Sequence, residues 1–303
     1  MKKFEAKGIN PQTRLGQNFL IDLNLLRLLY ESGGIESNDV ILEVGTGTGA
    51  LTAPMSDVAA AVITVDVDPV MQELARQELF GRRNIHFLQM DILKNKNTLR
   101  REVLDVVYEE LGKVDQSGVG RRFKLVANLP YCIATPLISN LLKTPKPPEL
   151  MCVTIQKELA DRITAKPNCK DWGALSIWTQ SQCRTEIIRI MPPNVFWPRP
   201  KVDSAIVRLL LDAKRRNKIP DLNFFNEFSR AIFFHRRKFL RAGLCSAFKR
   251  TISKQRIDEI MDEMNLDTNT RAETLPLKKI QQLCELCRKE LIKLPENERK
   301  ILQ

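Results

Sequence analysis

The chain has 303 residues, room for one large domain or two of ordinary size, and its 48 Lys and Arg against 36 Asp and Glu leave a formal charge of +12. That surplus suits either a polyanionic partner or a solubilising surface. Two histidines argue against a His-based metal centre, seven cysteines without framework spacing suit a reducing compartment, and no apolar run approaches the roughly 20 residues of a membrane span. The start, MKKFEAKGINPQ, has no apolar core of signal-peptide length, so the expectation is a soluble, cytoplasmic chain without a membrane partner.

In chain order, Asp22 can cap a helix over 23–32 that stops at Gly33-Gly34. Short, β-branched apolar runs then alternate with helical patterns: VILEV (40–44), AAVITVD (60–66), NIHFLQ (84–89), FKLVAN (123–128), LMCVTIQ (150–156), EIIRI (186–190) and AIVRLLL (205–211). Such spacing predicts a doubly wound α/β sheet. Asp68-Pro69 opens a further helix, and residues 94–122 read as an amphipathic helix and a glycine-containing loop inserted before FKLVAN. After Leu211 a polar, basic connector leads into a wholly helical pattern, which predicts domains of 1–211 and 212–303. Residues 211–303 hold 21 basic and 13 acidic side chains, +8 of the total charge. Cys284 and Cys287 form a lone C-x-x-C on an amphipathic helix, which fits core packing better than zinc.

The first strand runs into ILEVGTGTGALT, with Gly45, Gly47 and Gly49 at alternate positions. Glycines let the main chain turn sharply and let a ligand approach closely. The spacing G-x-G-x-G differs from the pyrophosphate-binding G-x-G-x-x-G and favours S-adenosylmethionine, whose methionine end carries no phosphate. Asp66, at the tip of the second strand, can accept both ribose hydroxyls, whereas Asp68 is explained as a helix cap. Asp91, after the third strand, can accept from the adenine amino group.

The fourth strand ends in Asn128-Leu129-Pro130-Tyr131. An exocyclic amine has its lone pair delocalised into the ring and is a poor nucleophile. The Asn128 side-chain oxygen and the next backbone carbonyl can accept its two hydrogens and turn the lone pair toward a methyl donor. Pro130 fixes the backbone direction, and Tyr131 offers a face for a base. The tetrapeptide does not by itself choose adenine over other planar amines, and Asn-x-Pro also makes a plain turn.

RLGQNFLID (14–22), NLPYCIATPLISNLL (128–142), MPPNVFWPRPKVDSAIVRL (191–209), HRRKFLRAGL (235–244) and RAETL (271–275) occur in an order and spacing that closely resemble the ribosomal RNA adenine dimethylase family, from about residue 10 to about 280. The resemblance implies a Rossmann-like methyltransferase domain followed by a small all-helical domain. It implies dimethylation of two adjacent adenosines near the 3′ end of small-subunit rRNA, within an assembling small subunit. A monomer without a metal is expected. On the matching positions, Asn18 and Leu20 would close over the cofactor, Gly45 would meet its methionine end, and Asp66 and Asp91 its ribose and adenine. Asn128 would touch both cofactor and target amine, Tyr131 would stack on the target base, and Gln17 would support the N-terminal segment. Phe196 would either flank that base from the other side or staple the two domains. Asp66 stands where many relatives have Glu, and Cys132 where Asn, Gln or Ser is common.

HRRKFLR further places Arg237 and Arg241 four residues apart on one helical face, with Arg236 and Lys238 alongside, as a phosphate-gripping stripe. Two other functions stay open. A resistance-type methylase of large-subunit rRNA shares the Q-N-F-L and N-L-P-Y elements, although the helical tail and RPKVDS argue against it. A non-catalytic rRNA-binding assembly or transcription factor would not need the intact Gly45, Asp66, Asp91 and Asn128.

Overall fold

The structure, a computed structural model, describes residues 16–114, 118–235 and 238–295. The chain divides into two compact units: one runs through Ala160 and resumes over Thr185–Leu211, and the other takes Asp161–Arg184 and the chain from Asp212 onward.

The first unit begins with β1 (Phe19–Leu20) and α1 (Leu23–Ser32), the helix capped by Asp22, whose carboxylate accepts from Asn24 N at 2.9 Å and Leu25 N at 3.1 Å. There follow β2 (Asp39–Val44), α2 (Thr52–Val58), β3 (Ala61–Asp66), α3 (Pro69–Glu78), β4 (Ile85–Gln89), a hairpin of β5 (Leu93–Asn95) and β6 (Thr98–Leu99), α4 (Arg101–Leu111), β7 (Arg122–Asn128), α5 (Tyr131–Leu141), β8 (Leu150–Gln156) and α6 (Lys157–Thr164). After α7 (Ala174–Gln180), β9 (Cys183–Met191), β10 (Phe196–Trp197) and β11 (Ser204–Leu211) complete the strands.

All seven apolar runs join one sheet in the order β4-β3-β2-β7-β8-β11-β9. Strands β4, β3, β2, β7 and β8 pair in parallel, and β11 is antiparallel to β8. Their continuous apolar sequences reflect burial on both faces: Val40, Ile41, Leu42, Leu125, Val126 and Val153 have no exposed surface. The chain builds outward from β2 through β3 to β4, then returns to the other side of β2 at β7. At that reversal the loops following β2 and β7 lie side by side.

The return explains residues 94–122. Parallel strands require a crossover, and α4 supplies it, with Val103 and Val107 fully buried and the helix packed on β2, β3 and β7. The helix read as part of an insertion is therefore a regular crossover, to which the β5–β6 hairpin is added.

The second unit contains α7, α8 (Ala213–Arg216), α9 (Leu222–Phe234), α10 (Leu240–Ala247), α11 (Lys254–Glu263) and α12 (Leu277–Ile292). Helix α9 packs on α7, α10 and α12, with the Phe228 and Phe248 rings 6.2 Å apart. The single break predicted near residue 212 misses that residues 161–184 belong to this unit. The buried Trp172 indole donates to the Leu275 carbonyl at 3.1 Å, and Asn168 N to the Glu273 carbonyl at 2.8 Å, pairings too distant in sequence for local pattern to reveal. Cys284 and Cys287 are buried in α12. No described helix is long and apolar enough to cross a membrane.

Candidate active site

The carboxyl ends of β2, β3 and β7 and the segment after β4 enclose a cavity of about 260 Å³, close to the lower end of small-molecule sites. Gln17, Asn18, Gly45, Gly47, Asp66, Asp91, Asn128, Leu129 and Pro130 all line it. Residues from five separate stretches of sequence thus converge on one space.

The glycine loop runs through three residues of positive φ, of which Gly49, at +79°, would place a Cβ 2.9 Å from Leu79 Cδ1. Gly45 has φ +92°, and a Cβ there would sit 3.4 Å from Pro130 Cδ and 3.5 Å from the Asn128 carbonyl oxygen. Gly47 has φ +53°, and a Cβ there would lie 3.2 Å from the Phe19 ring. The loop is therefore pressed between the Asn128-Leu129-Pro130 turn and the β1 segment. From below it is stapled by Glu43, a fully interior acid. Its Oε2 accepts from Thr52 Oγ1 and Thr64 Oγ1, each at 2.6 Å, and the Thr64 hydroxyl lies 2.6 Å from that of Thr46. Burial pushes the Glu43 carboxyl up to about 8, against the lowering effect of the two threonine hydroxyls.

Asp66 Oδ2 accepts from Gly47 N at 3.1 Å, and its Oδ1 from Asp68 N at 2.9 Å. Burial raises its pKa, and these backbone N–H groups oppose the rise. Asp68 both caps α3, accepting from Val70 N at 3.0 Å, and receives Gln17 Nε2 at 2.8 Å, so Gln17 ties the N-terminal segment to the cavity wall. Asp91 accepts from Leu93 N at 2.8 Å.

Asn128 Nδ2 donates to the Asn18 carbonyl at 2.9 Å. That bond fixes which way the carboxamide faces: its nitrogen is engaged, and Oδ1 is left as the acceptor, bonded to no donor among the described residues. Leu129 N donates to the Thr154 carbonyl at 3.2 Å, which anchors the next peptide on β8.

Other predicted residues are placed differently. Leu20 does not line the cavity; it pairs with Phe196 across β1–β10, and its neighbour Phe19 is the lining residue. Phe196 is 2% exposed within the core cluster that includes Leu29, Ile41 and Ile206, so its ring packs there and does not flank a base in this structure. Tyr131 is half-buried, outside the lining, with its hydroxyl 2.6 Å from Ser204 Oγ; burial raises its pKa. Arg236 and Arg237 lie outside the described residues. The continuous helix assumed for HRRKFLR is not present, because α9 ends at Phe234 and α10 starts only at Leu240, whose N–H goes to the Thr270 carbonyl. Lys238 is exposed, and Arg241 is held by Asp258 in a bidentate pair, Nε to Oδ1 at 2.5 Å and Nη2 to Oδ2 at 2.8 Å. Sequence reasoning missed Phe19, Val67, Met90, Ile92 and Cys132 as lining residues, although each adjoins a predicted polar residue by one or two positions.

Two features of the cavity fit the cofactor class. No lysine or arginine lines it, whereas two aspartates do, which disfavours phosphate and favours a ligand of positive charge. The loop donor at Gly47 is already engaged by the protein's own Asp66 carboxylate, unlike a phosphate cradle. S-adenosylmethionine, a sulfonium nucleoside, meets both conditions.

A family model described as Ribosomal RNA adenine dimethylase matches residues 8–283. Curated relatives include the Ribosomal RNA small subunit methyltransferase A of Listeria welshimeri, 36% identical over 286 residues with 93% of this chain and 92% of that one covered. The protein of the same name from Lachnoclostridium phytofermentans is 34% identical over 276 residues, covering 91% of each chain. Among solved structures, a dimethyladenosine transferase from Plasmodium falciparum superposes with a TM-score of 0.72 at 22% identity, over 90% of this chain and 98% of that one. The 23S rRNA methyltransferase ErmE gives 0.61 at 22% identity, over 88% and 98%. The two structures establish the fold, and the sequence matches establish more: this chain belongs to the ribosomal RNA adenine dimethylase family.

Proposed function

We propose that the chain is an S-adenosylmethionine-dependent methyltransferase that dimethylates two adjacent adenosines near the 3′ end of small-subunit rRNA, acting in the cytoplasm on the assembling subunit. The observation that carries this reading is the Asn128 carboxamide, turned by its 2.9 Å bond to the Asn18 carbonyl so that Oδ1 is the group on offer, next to the glycine loop.

Gly45 and Gly47 would receive the methionine end of the cofactor, Asp66 its ribose hydroxyls, and Asp91 its adenine amino group, with Val67, Met90 and Ile92 as apolar walls. Asn18 and Gln17 would hold the N-terminal segment over it. Bound there, S-adenosylmethionine supplies an electrophilic sulfonium methyl. Asn128 Oδ1 and the Leu129 carbonyl accept the two amine hydrogens of the target adenine and so draw its lone pair out of conjugation with the ring. Pro130 and the anchored Leu129 N–H keep that carbonyl fixed, so little reorganisation is needed when the amine enters. A strong base is not required, since the nitrogen sheds its proton after becoming cationic. Tyr131, steadied by Ser204, is the ring beside the entry on which the base can stack. The acting form is proposed to be a monomer.

Mass spectrometry of small and large ribosomal subunits from an under-methylated source, after incubation with the chain and labelled methyl donor, tests the reading. Dimethyladenosine at two adjacent positions of small-subunit rRNA is expected. Label on large-subunit rRNA would select the resistance-type activity, and specific rRNA binding without methyl transfer would select the assembly-factor role.

A further inference from the structure

Residues 94–101, KNKNTLRR, carry four basic side chains and no acidic one. They form the β5–β6 hairpin and the start of α4. Arg101 faces Asp105 at 3.6 Å, but Lys94, Lys96 and Arg100 have no carboxylate partner among the described residues. In this respect they differ from Arg241, Arg256 and Arg288 of the second unit, each of which is held by one or more carboxylates.

The unpaired charges sit on an anchored element. Leu93 and Leu99 are buried beneath it, Arg100 N donates to the Ile92 carbonyl at 2.8 Å, and Arg100 Nε donates to the Asp91 carbonyl at 2.9 Å. On the other side, Asn140 Nδ2 of α5 donates to the Lys96 carbonyl at 3.2 Å. The hairpin is thus joined at one end to the cavity wall formed by Asp91 and Ile92, and at the other to Asn140 in the last turn of α5. Within residues 94–100 only Asn and Thr stand between the cations at the surface, with no aromatic or apolar side chain exposed; the nearest acids, Glu102 and Asp105, line the same concavity on the α4 side, where Asp105 pairs with Arg101. A surface of that composition lacks the apolar centre of a protein interface and the rings of a base platform; it suits phosphates.

We propose that Lys94, Lys96 and Arg100 grip the sugar–phosphate backbone of the RNA strand whose base enters the cavity. The proposal rests on the rRNA reading above and adds a second binding element to it, in the unit that carries the cavity. Holding the backbone beside the cavity lets the target nucleotide be presented without any contact to its base edge from these residues.

The test uses the whole chain and labelled, unmethylated small-subunit rRNA, with affinity measured across a salt series. Lys94→Ala with Lys96→Ala is expected to flatten the log–log salt slope by about 1–2 units and to raise KM for RNA severalfold. The same variant should leave kcat, S-adenosylhomocysteine affinity and the thermal midpoint unchanged, and Lys94→Arg with Lys96→Arg should restore slope and KM. An unchanged slope and KM in the folded alanine variant would overturn the grip. A wild-type chain that binds this RNA with the hairpin-dependent slope yet transfers no methyl would defeat the methyltransferase reading alone, and one that binds no RNA would defeat both.

Discussion

The two ends of the central sheet treat charge in opposite ways. At the amino-terminal ends of β2 and β7, the wholly buried Asp39 lies 2.6 Å from Lys124 Nζ and 3.0 Å from Arg122, so its charge is neutralised inside the protein. At the carboxyl ends, Asp66 and Asp91 line a cavity with no cation among its lining residues, and Asn128 keeps its side-chain oxygen without a donor. The same backbone scaffold therefore matches its carboxylate with cations at one end and, at the other, holds its carboxylates by backbone N–H groups with no cation opposite. A carboxylate without a cation, rather than charge itself, marks the site.

That contrast can be broken from either side. The largest effect is expected for Asn128→Ala, which should lower kcat for rRNA methylation by about 10²–10³-fold, the scale of losing one preorganised transition-state contact, with the melting temperature nearly unchanged. The opposite pattern is expected for Asp39→Ala. It strands a buried lysine and should cost about 3 kcal/mol of unfolding free energy in urea titrations, while the folded fraction retains its affinity for the cofactor. Asp66→Asn should weaken S-adenosylhomocysteine by roughly 10- to 100-fold in calorimetry, as a charge-assisted bond to a ribose would, and hardly change stability.

Glu43 gives a smaller and pH-dependent effect. The folded carboxyl keeps its proton up to about pH 8, whereas the unfolded chain releases it in the ordinary glutamate range. Between those limits the folded state binds the extra proton, so this residue makes stability fall as pH rises. Glu43→Gln should flatten that fall in denaturation curves taken from pH 5 to about pH 8. The smallest effect is expected for Arg241→Ala: its guanidinium is already held by Asp258 at the surface, so the salt dependence of RNA binding should stay as in the wild type and the melting temperature should drop only slightly.

Much of the sheet was legible because strands buried on both faces write themselves as short β-branched runs. Asp66, Asp91 and Asn128 were legible for a related reason, since each is the first polar side chain after such a run. The apolar part of the site was not: Phe19, Val67, Met90 and Ile92 carry no chemical signature that separates a cavity wall from a core. Phe196 shows the converse error, an aromatic in a proline-held loop whose sequence is the same whether the ring faces a ligand or, as here, the interior. For Arg241, read as a phosphate contact, sequence spacing does not reveal the partner it has on the next helix, Asp258. Glu43 could have been found, as the lone acid in an otherwise apolar strand interior.

The most direct test of the central claim is a crystal structure of the chain with S-adenosylhomocysteine. The ribose hydroxyls should lie on Asp66, the adenine amino group on Asp91, and the sulfur beside Gly45 and Asn128, with Asn128 Oδ1 still open toward the entering amine. A ligand seated elsewhere, or an Asn128 oxygen turned away from the cavity, would contradict the account.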